Sequence, residues 1–141
     1  MKNILTYDLV LLVDDDSVIN LVHHHIIKRT GIAKEIKIFL NPLEALLELR
    51  RKLDDNDIKI LILLDINMPE MDGFEFLDKA NALAKEGKVF DLLMITSSID
   101  YEDMAKGNSH PLINQYITKP LKYNEIINFV HNSSRLTPAS Q

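Results

Sequence analysis

Two stretches of this chain are apolar without a break, Leu9 to Val13 and Ile60 to Leu64. Continuous runs of this length, bounded by turn residues, predict strands buried on both faces. The first, with a start as early as Ile4, ends in Asp14, Asp15 and Asp16. The second runs into Asp65 and then into a turn with Asn67, Pro69, Asp72 and Gly73. Glu35 to Leu40 alternates instead, as a half-exposed strand near a sheet edge does. Leu92 to Ile95 and Gln115 to Thr118 predict two more strands, which end at Thr96-Ser97-Ser98 and at Lys119-Pro120.

Between the strands the apolar positions recur at helical spacing. Ser17 is placed to cap a helix that carries Val18, Ile19, Val22 and Ile26 through Thr30 and stops at Gly31. Asn41-Pro42 opens a second helix with Leu43, Leu46, Leu47 and Leu53 on or near one face; proline suits the first turn. Asp54 to Asp57 reads as a solvated loop. Phe76, Leu77, Ala80, Leu83 and Ala84 define a third helix ending near Gly87. Asp100 to Lys106 is a short helical candidate, broken by Gly107 to Asn114. Tyr123, Ile126, Ile127 and Val130 mark the last helix. The domain is expected to span residues 1–132, with 133–141 as a flexible tail.

Strand and helix thus alternate five times, which predicts an α/β fold with a parallel sheet and helices on both faces. The two most apolar strands, the first and third, belong in the middle. With strand order 2-1-3-4-5 they are neighbours, and their carboxyl ends border the crevice where such sheets bind ligands. Asp14, Asp15, Asp65, Thr96 and Lys119 then meet at one edge, although they are far apart in sequence.

Composition narrows the function. The chain has 141 residues, enough for one domain and one core. It has no cysteine, so disulfides and thiolate metal sites are excluded, in keeping with a cytoplasmic location. Lys+Arg number 16 against 21 Asp+Glu, and there is no basic stripe of the kind nucleic-acid binders carry. The apolar runs are too short to span a membrane, and the N-terminus is not a secretion signal. Neither a nucleic acid nor a membrane is therefore expected as a partner. His23, His24 and His25 stand in a row, but successive helical residues point ~100° apart. Partial packing of His23 and His25 around an exposed His24 is expected, not a metal site.

Three carboxylates in one crevice repel each other, and a hard divalent cation relieves this. Oxygen donors without His or Cys suit Mg²⁺, which commonly works beside phosphate. An aspartate can also attack phosphorus. Asp65, on the central strand, is the best nucleophile, because the adjacent Asp pair then remains to hold the metal. Lys119 offers a second positive charge and Thr96 a hydroxyl for a phosphoryl oxygen.

Four motifs carry a resemblance: VDDDS at Val13 to Ser17, LLDINMPEMDG at Leu63 to Gly73, ITSS at Ile95 to Ser98 and YITKP at Tyr116 to Pro120. Together, in this order, they resemble the receiver domain of two-component response regulators, over about Leu9 to Asn132. The resemblance implies a CheY-like, flavodoxin-like fold with strand order 2-1-3-4-5. It implies that Asp65 accepts a phosphoryl group from a histidine kinase or phosphotransfer protein. Asp15 and the Asn67 carbonyl would bind Mg²⁺ with Asp65, Asp14 mainly through water, and Asp16 would stay outside. Lys119 would pair with the phosphoryl group and precede a cis proline. Thr96 and Tyr116 would form the switch pair. Asn114 and the GNSHPLIN interruption depart from the family pattern near the face that would meet a downstream protein. A stand-alone regulator is expected, since little chain follows Asn132.

Two alternatives compete. Asp14-x-Asp16 reads as the nucleophile motif of a haloacid-dehalogenase-type phosphatase, although that family's later acidic motif should follow the lysine. A scaffold with this fold that works without phosphorylation is the other.

Overall fold

The structure is a computed structural model that describes residues 6–54, 57–66, 68, 71–84, 90–96 and 112–139. Five strands, β1 (Tyr7–Val13), β2 (Ala33–Phe39), β3 (Ile60–Asp65), β4 (Asp91–Thr96) and β5 (Gln115–Thr118), form one parallel sheet in the order β2-β1-β3-β4-β5. Four helices are described: α1 (Ser17–Thr30), α2 (Pro42–Leu53), α3 (Gly73–Ala84) and α4 (Tyr123–Ala139). The parallel sheet is the one the alternation of strands and helices predicts, and the flavodoxin-like strand order is the one the resemblance implies. The helical candidate at residues 100–106, most of the GNSHPLIN break and Gly87 lie outside the described residues.

Alternate strand residues feed two cores, one on each sheet face. Leu9, Leu11, Ile60, Ile62, Leu64, Leu92 and Met94 pack under α2 and α3, against Ala45, Leu49, Phe76, Leu77 and Ala80. Val10, Leu12, Leu61, Leu63, Leu93, Ile95 and Ile117 pack under α1 and α4, against Ile27, Ile126, Phe129 and Val130. That both faces are covered explains why β1 and β3 read as unbroken apolar runs. At the amino edge the Tyr7 hydroxyl donates to Asp91 at 2.6 Å and ties β1 to β4. Burial and this carboxylate raise the Tyr7 phenol well above its usual range.

The inward faces of α1 and α2 differ from those the apolar spacing suggests. On α1 the buried stripe is Asn20, His23, Ile27 and Thr30, whereas Val18 and Val22 are exposed. Asn20 and His23 turn inward because each meets a backbone group there: Asn20 Nδ2 donates to the Asp14 carbonyl, and His23 Nε2 accepts the Leu121 N–H. Likewise His24 is half-buried and His25 exposed, the reverse of the expected order. On α2 the buried residues are Pro42, Ala45, Glu48, Leu49 and Leu53, while Leu43 and Leu47 face outward. Glu48 is buried because Lys37 on β2 and Arg51 on α2 both ion-pair with it. Burial alone would raise the Glu48 carboxyl, but these two cations outweigh it and hold it below its usual value.

The cap of α1 is Asp16, not Ser17: its Oδ1 accepts the N–H groups of Val18 at 2.9 Å and Ile19 at 3.3 Å. Asn41 caps α2 through the Leu43 N–H, and Pro42 takes the first turn. Gly31 closes α1 at φ 72°, a left-handed conformation that suits glycine. Asp72 and Glu75 cap α3 reciprocally, each side chain accepting the other's N–H. The backbone of α4 stays helical to Ala139, past Ser133, where the sequence pattern puts a flexible tail.

Asp16→Ala should lower the unfolding free energy by about 1 kcal/mol in urea titrations, and Ser17→Ala by much less. Glu48 has a depressed carboxyl pKa, so its contribution is present above the ordinary glutamate range and is lost as pH falls through the folded value. The stability gap between wild type and Glu48→Gln should therefore shrink in melts taken below pH ~4.

Candidate functional site

The parallel register builds the site. Val13 pairs with Leu64, so Asp14 lies beside Asp65 at the carboxyl edge. Asp65 pairs with Ile95, which sets Thr96 one residue further on. Thr96 pairs with Thr118, which brings Lys119 to the same edge, and the Lys119 N–H donates to the Thr96 carbonyl at 2.7 Å. Three strand ends thus deliver an acid, an acid and a base to one edge, with Lys119 two residues beyond the level of Asp65.

The side chains converge as expected. Carboxylate oxygens of Asp14, Asp15 and Asp65 all lie within 4.8 Å of one another. Asp14 and Asp65 are buried and Asp15 is exposed. Lys119 Nζ sits 3.0 Å from Asp14 Oδ2 and 2.9 Å from Asp65 Oδ1. Burial alone would lower the Lys119 ammonium, but Asp65 and Asp14 outweigh it and raise its pKa, so it stays charged throughout the neutral range. Asp14 Oδ1 accepts the Asp16 N–H at 2.9 Å; Oδ2 has the ion-pair contact with Lys119 and no further hydrogen bond among the described residues.

Three carboxylates against one ammonium leave an excess of negative charge at a half-open edge. The donors are all oxygen, and one of them is solvent-accessible. That fits a hard divalent cation that keeps some water, and Mg²⁺ is of this kind. Asp16 is not in the cluster; its side chain is committed to capping α1. Asn67, the expected carbonyl donor, lies outside the described residues, as do Pro69, Ser97 and Ser98.

Thr96 is buried at the tip of β4. Tyr116 is half-buried on β5 and packs against the core beneath α2 and α3. Because Met94 pairs with Tyr116 and Thr96 with Thr118, Thr96 and Tyr116 are diagonal neighbours on one sheet face. The Lys119-Pro120 peptide is cis.

Two contributors to the site have only a weak signature in the sequence. Gly73 approaches the back of Asp65 so closely that a Cβ there would lie 3.0 Å from the Asp65 carbonyl oxygen and 3.0 Å from Ile66 Cα. Its N–H also donates to the Ile66 carbonyl at 2.6 Å. His23 reaches the residues that follow Lys119, and a histidine among three in a row gives no hint of this. A polar residue at i+3 from Asn20 on one helix stripe is the signal that was available.

Comparison with known proteins gives a consistent set of likenesses. The profile of the "Response regulator receiver domain" matches residues 10–131. The two-component response regulator ARR11 of Arabidopsis thaliana is 33% identical over 83% of this chain and 20% of its own length. The chain spans about a fifth of the length of the curated relatives it matches first. Among solved structures, a two-component response regulator from Cytophaga hutchinsonii superposes with a TM-score of 0.78 at 27% identity, covering 90% of this chain and 96% of that one. The receiver domain of the histidine kinase CKI1 from Arabidopsis thaliana, solved with Mg²⁺ and BeF₃⁻, superposes at 0.75 with 21% identity, covering 91% and 90%.

Gly73→Ala should cost about 1–3 kcal/mol, because the methyl meets backbone on two sides rather than a side chain that can swing away. Chemical denaturation measures this directly.

Proposed function

The chain belongs to the response regulator receiver domain family, and from that we propose that it accepts a phosphoryl group on Asp65 and uses it to change a protein-binding face. The observation that carries this is the setting of Asp65: it is buried at the tip of the central strand, 2.9 Å from a lysine ammonium, with two more carboxylates in reach of a shared cation. An Asp65 oxygen attacks phosphorus in line, a P–O bond forms, and the bond from phosphorus to the donor's leaving atom breaks. With a phosphohistidine donor the leaving atom is a ring nitrogen, which departs with the electron pair. The chemistry asks the protein for positioning and charge neutralisation.

Each remaining residue has a place in that step. Lys119 is already paired with Asp65 and is available to a phosphoryl oxygen when that oxygen arrives. Asp15 would hold Mg²⁺ together with Asp65, and Asp14 would reach it mainly through water; Asn67, outside the described residues, is the further donor that the family resemblance implies. When bound, the metal would supply charge neutralisation for the phosphoryl oxygens. The Thr96 hydroxyl bonds the phosphoryl group, and Tyr116, its diagonal neighbour, follows into the space behind it. The phosphoryl group then shifts the population between two arrangements of this face.

The donor is a histidine kinase or a histidine phosphotransfer protein, and the listener is another protein. A cytoplasmic location follows from the two-component role. Among the described residues no helix is long and apolar enough to cross a membrane. The receiver family is a signalling module, and membership in it removes the support for a haloacid-dehalogenase-type phosphatase.

Incubation with acetyl phosphate and Mg²⁺ should add one phosphoryl group by intact mass. The adduct should be labile to hydroxylamine, absent without metal and absent in Asp65→Asn. An adduct that survives Asp65→Asn and disappears in Asp14→Asn would refute the assignment; no adduct in the wild type would favour a scaffold that works without phosphorylation.

A further inference from the structure

His23 is the one histidine of its triplet whose burial is complete, at 2% exposed. It projects from α1 toward the segment that follows β5, and its Nε2 accepts the backbone N–H of Leu121 at 3.2 Å. Leu121 is two residues beyond Lys119. The turn that carries the lysine is thus held on both sides. Before it, the Lys119 N–H is bonded to the Thr96 carbonyl; after it, the Leu121 N–H is bonded to His23.

The same helix is anchored at its other end to the acidic loop. Asp14 Oδ1 accepts the Asp16 N–H, Asp16 caps α1, and Asn20 Nδ2 donates to the Asp14 carbonyl at 2.8 Å. Asn20 and His23 are neighbours on one stripe of α1. One rigid turn of helix therefore spans from the backbone of an acid that faces the lysine to the backbone just past the lysine itself.

We propose that His23 is a positioning residue for Lys119: by accepting the Leu121 N–H it fixes the Lys119-Pro120-Leu121 turn relative to Asp14 and Asp65, so that the ammonium is in place before a phosphoryl group arrives. The role requires a free lone pair on Nε2, with the ring proton on Nδ1. The Leu121 N–H aimed at Nε2 selects that tautomer, and burial with the nearby Lys119 charge keeps the ring neutral by pushing the imidazole down to about 4. A charged ring would lose its acceptor and set a second cation beside the first. An aliphatic residue of similar size would fill the space but leave the Leu121 N–H buried without a partner, which favours a shifted turn.

This inference rests on Asp65 being the phosphoryl acceptor, and its test separates the two. His23→Leu removes the acceptor, whereas His23→Gln places an amide oxygen near the position of Nε2. Three quantities are read on the wild type and both variants: amide hydrogen exchange at Leu121, Mg²⁺ affinity by calorimetry, and the rate of phosphorylation by acetyl phosphate. In His23→Leu the Leu121 amide should exchange faster and phosphorylation should slow by roughly 10- to 100-fold, the range for a misplaced catalytic group. Mg²⁺ affinity should not fall, because its carboxylates do not move and a displaced ammonium competes less for them. His23→Gln should restore both the protection and most of the rate. A Leu121 amide still protected in His23→Leu, an unslowed rate, a glutamine variant as slow as the leucine one, or a parallel fall in Mg²⁺ affinity would each overturn the proposal. Absence of any adduct on the wild type would bring down the phosphoacceptor reading and this proposal together, whereas a normal wild-type adduct with an unslowed His23→Leu brings down only this one.

Discussion

Lys119 Nζ lies between Asp14 and Asp65, at 3.0 and 2.9 Å, and both carboxylates are buried. Buried charges of one sign are tolerated only when they are paired. Here three acids share one lysine, so the pairing is incomplete by construction. The sheet tolerates this because the cluster sits at its carboxyl edge, where Asp15 reaches solvent and a cation can enter. The rest of the architecture serves to hold these groups in register: β1, β3 and β5 supply them, and β4 links the lysine to the acids through the Thr96 carbonyl.

Backbone contacts reinforce this arrangement from behind. Gly73 lets α3 begin directly against the Asp65 carbonyl, where any side chain would push the strand tip outward. Asn20 and His23 turn the inner face of α1 into a brace between the acidic loop and the lysine turn. These supports leave the carboxylates themselves little freedom to separate, although they repel each other. Preorganisation of this kind suits the phosphoryl transfer proposed for Asp65.

Much of this was legible in the sequence, for a physical reason. Strands buried on both faces must be apolar throughout, so β1 and β3 announced themselves, and with them Asp14 and Asp65 at their ends. The alternation of elements implied parallel pairing, and parallel pairing brings strand ends together. The inner faces of α1 and α2 were harder. Val18, Val22, Leu43 and Leu47 have helical spacing yet point outward, while Asn20, His23 and Glu48 point inward. Periodicity assigns polar residues to solvent, and it cannot register that a buried amide, imidazole or carboxylate has a partner waiting on another element. Asp16 as the cap was hidden for a similar reason: three adjacent aspartates look alike until the helix start fixes which one faces the free N–H groups.

The proposed function depends on which atom takes the phosphoryl group. Borohydride reduction of the phosphorylated protein converts an aspartyl phosphate to homoserine, and peptide mass mapping then locates it. Homoserine at position 65, and nowhere else, is the predicted result. Homoserine at position 14 or 15, or none in protein that has gained a phosphoryl mass, would contradict it.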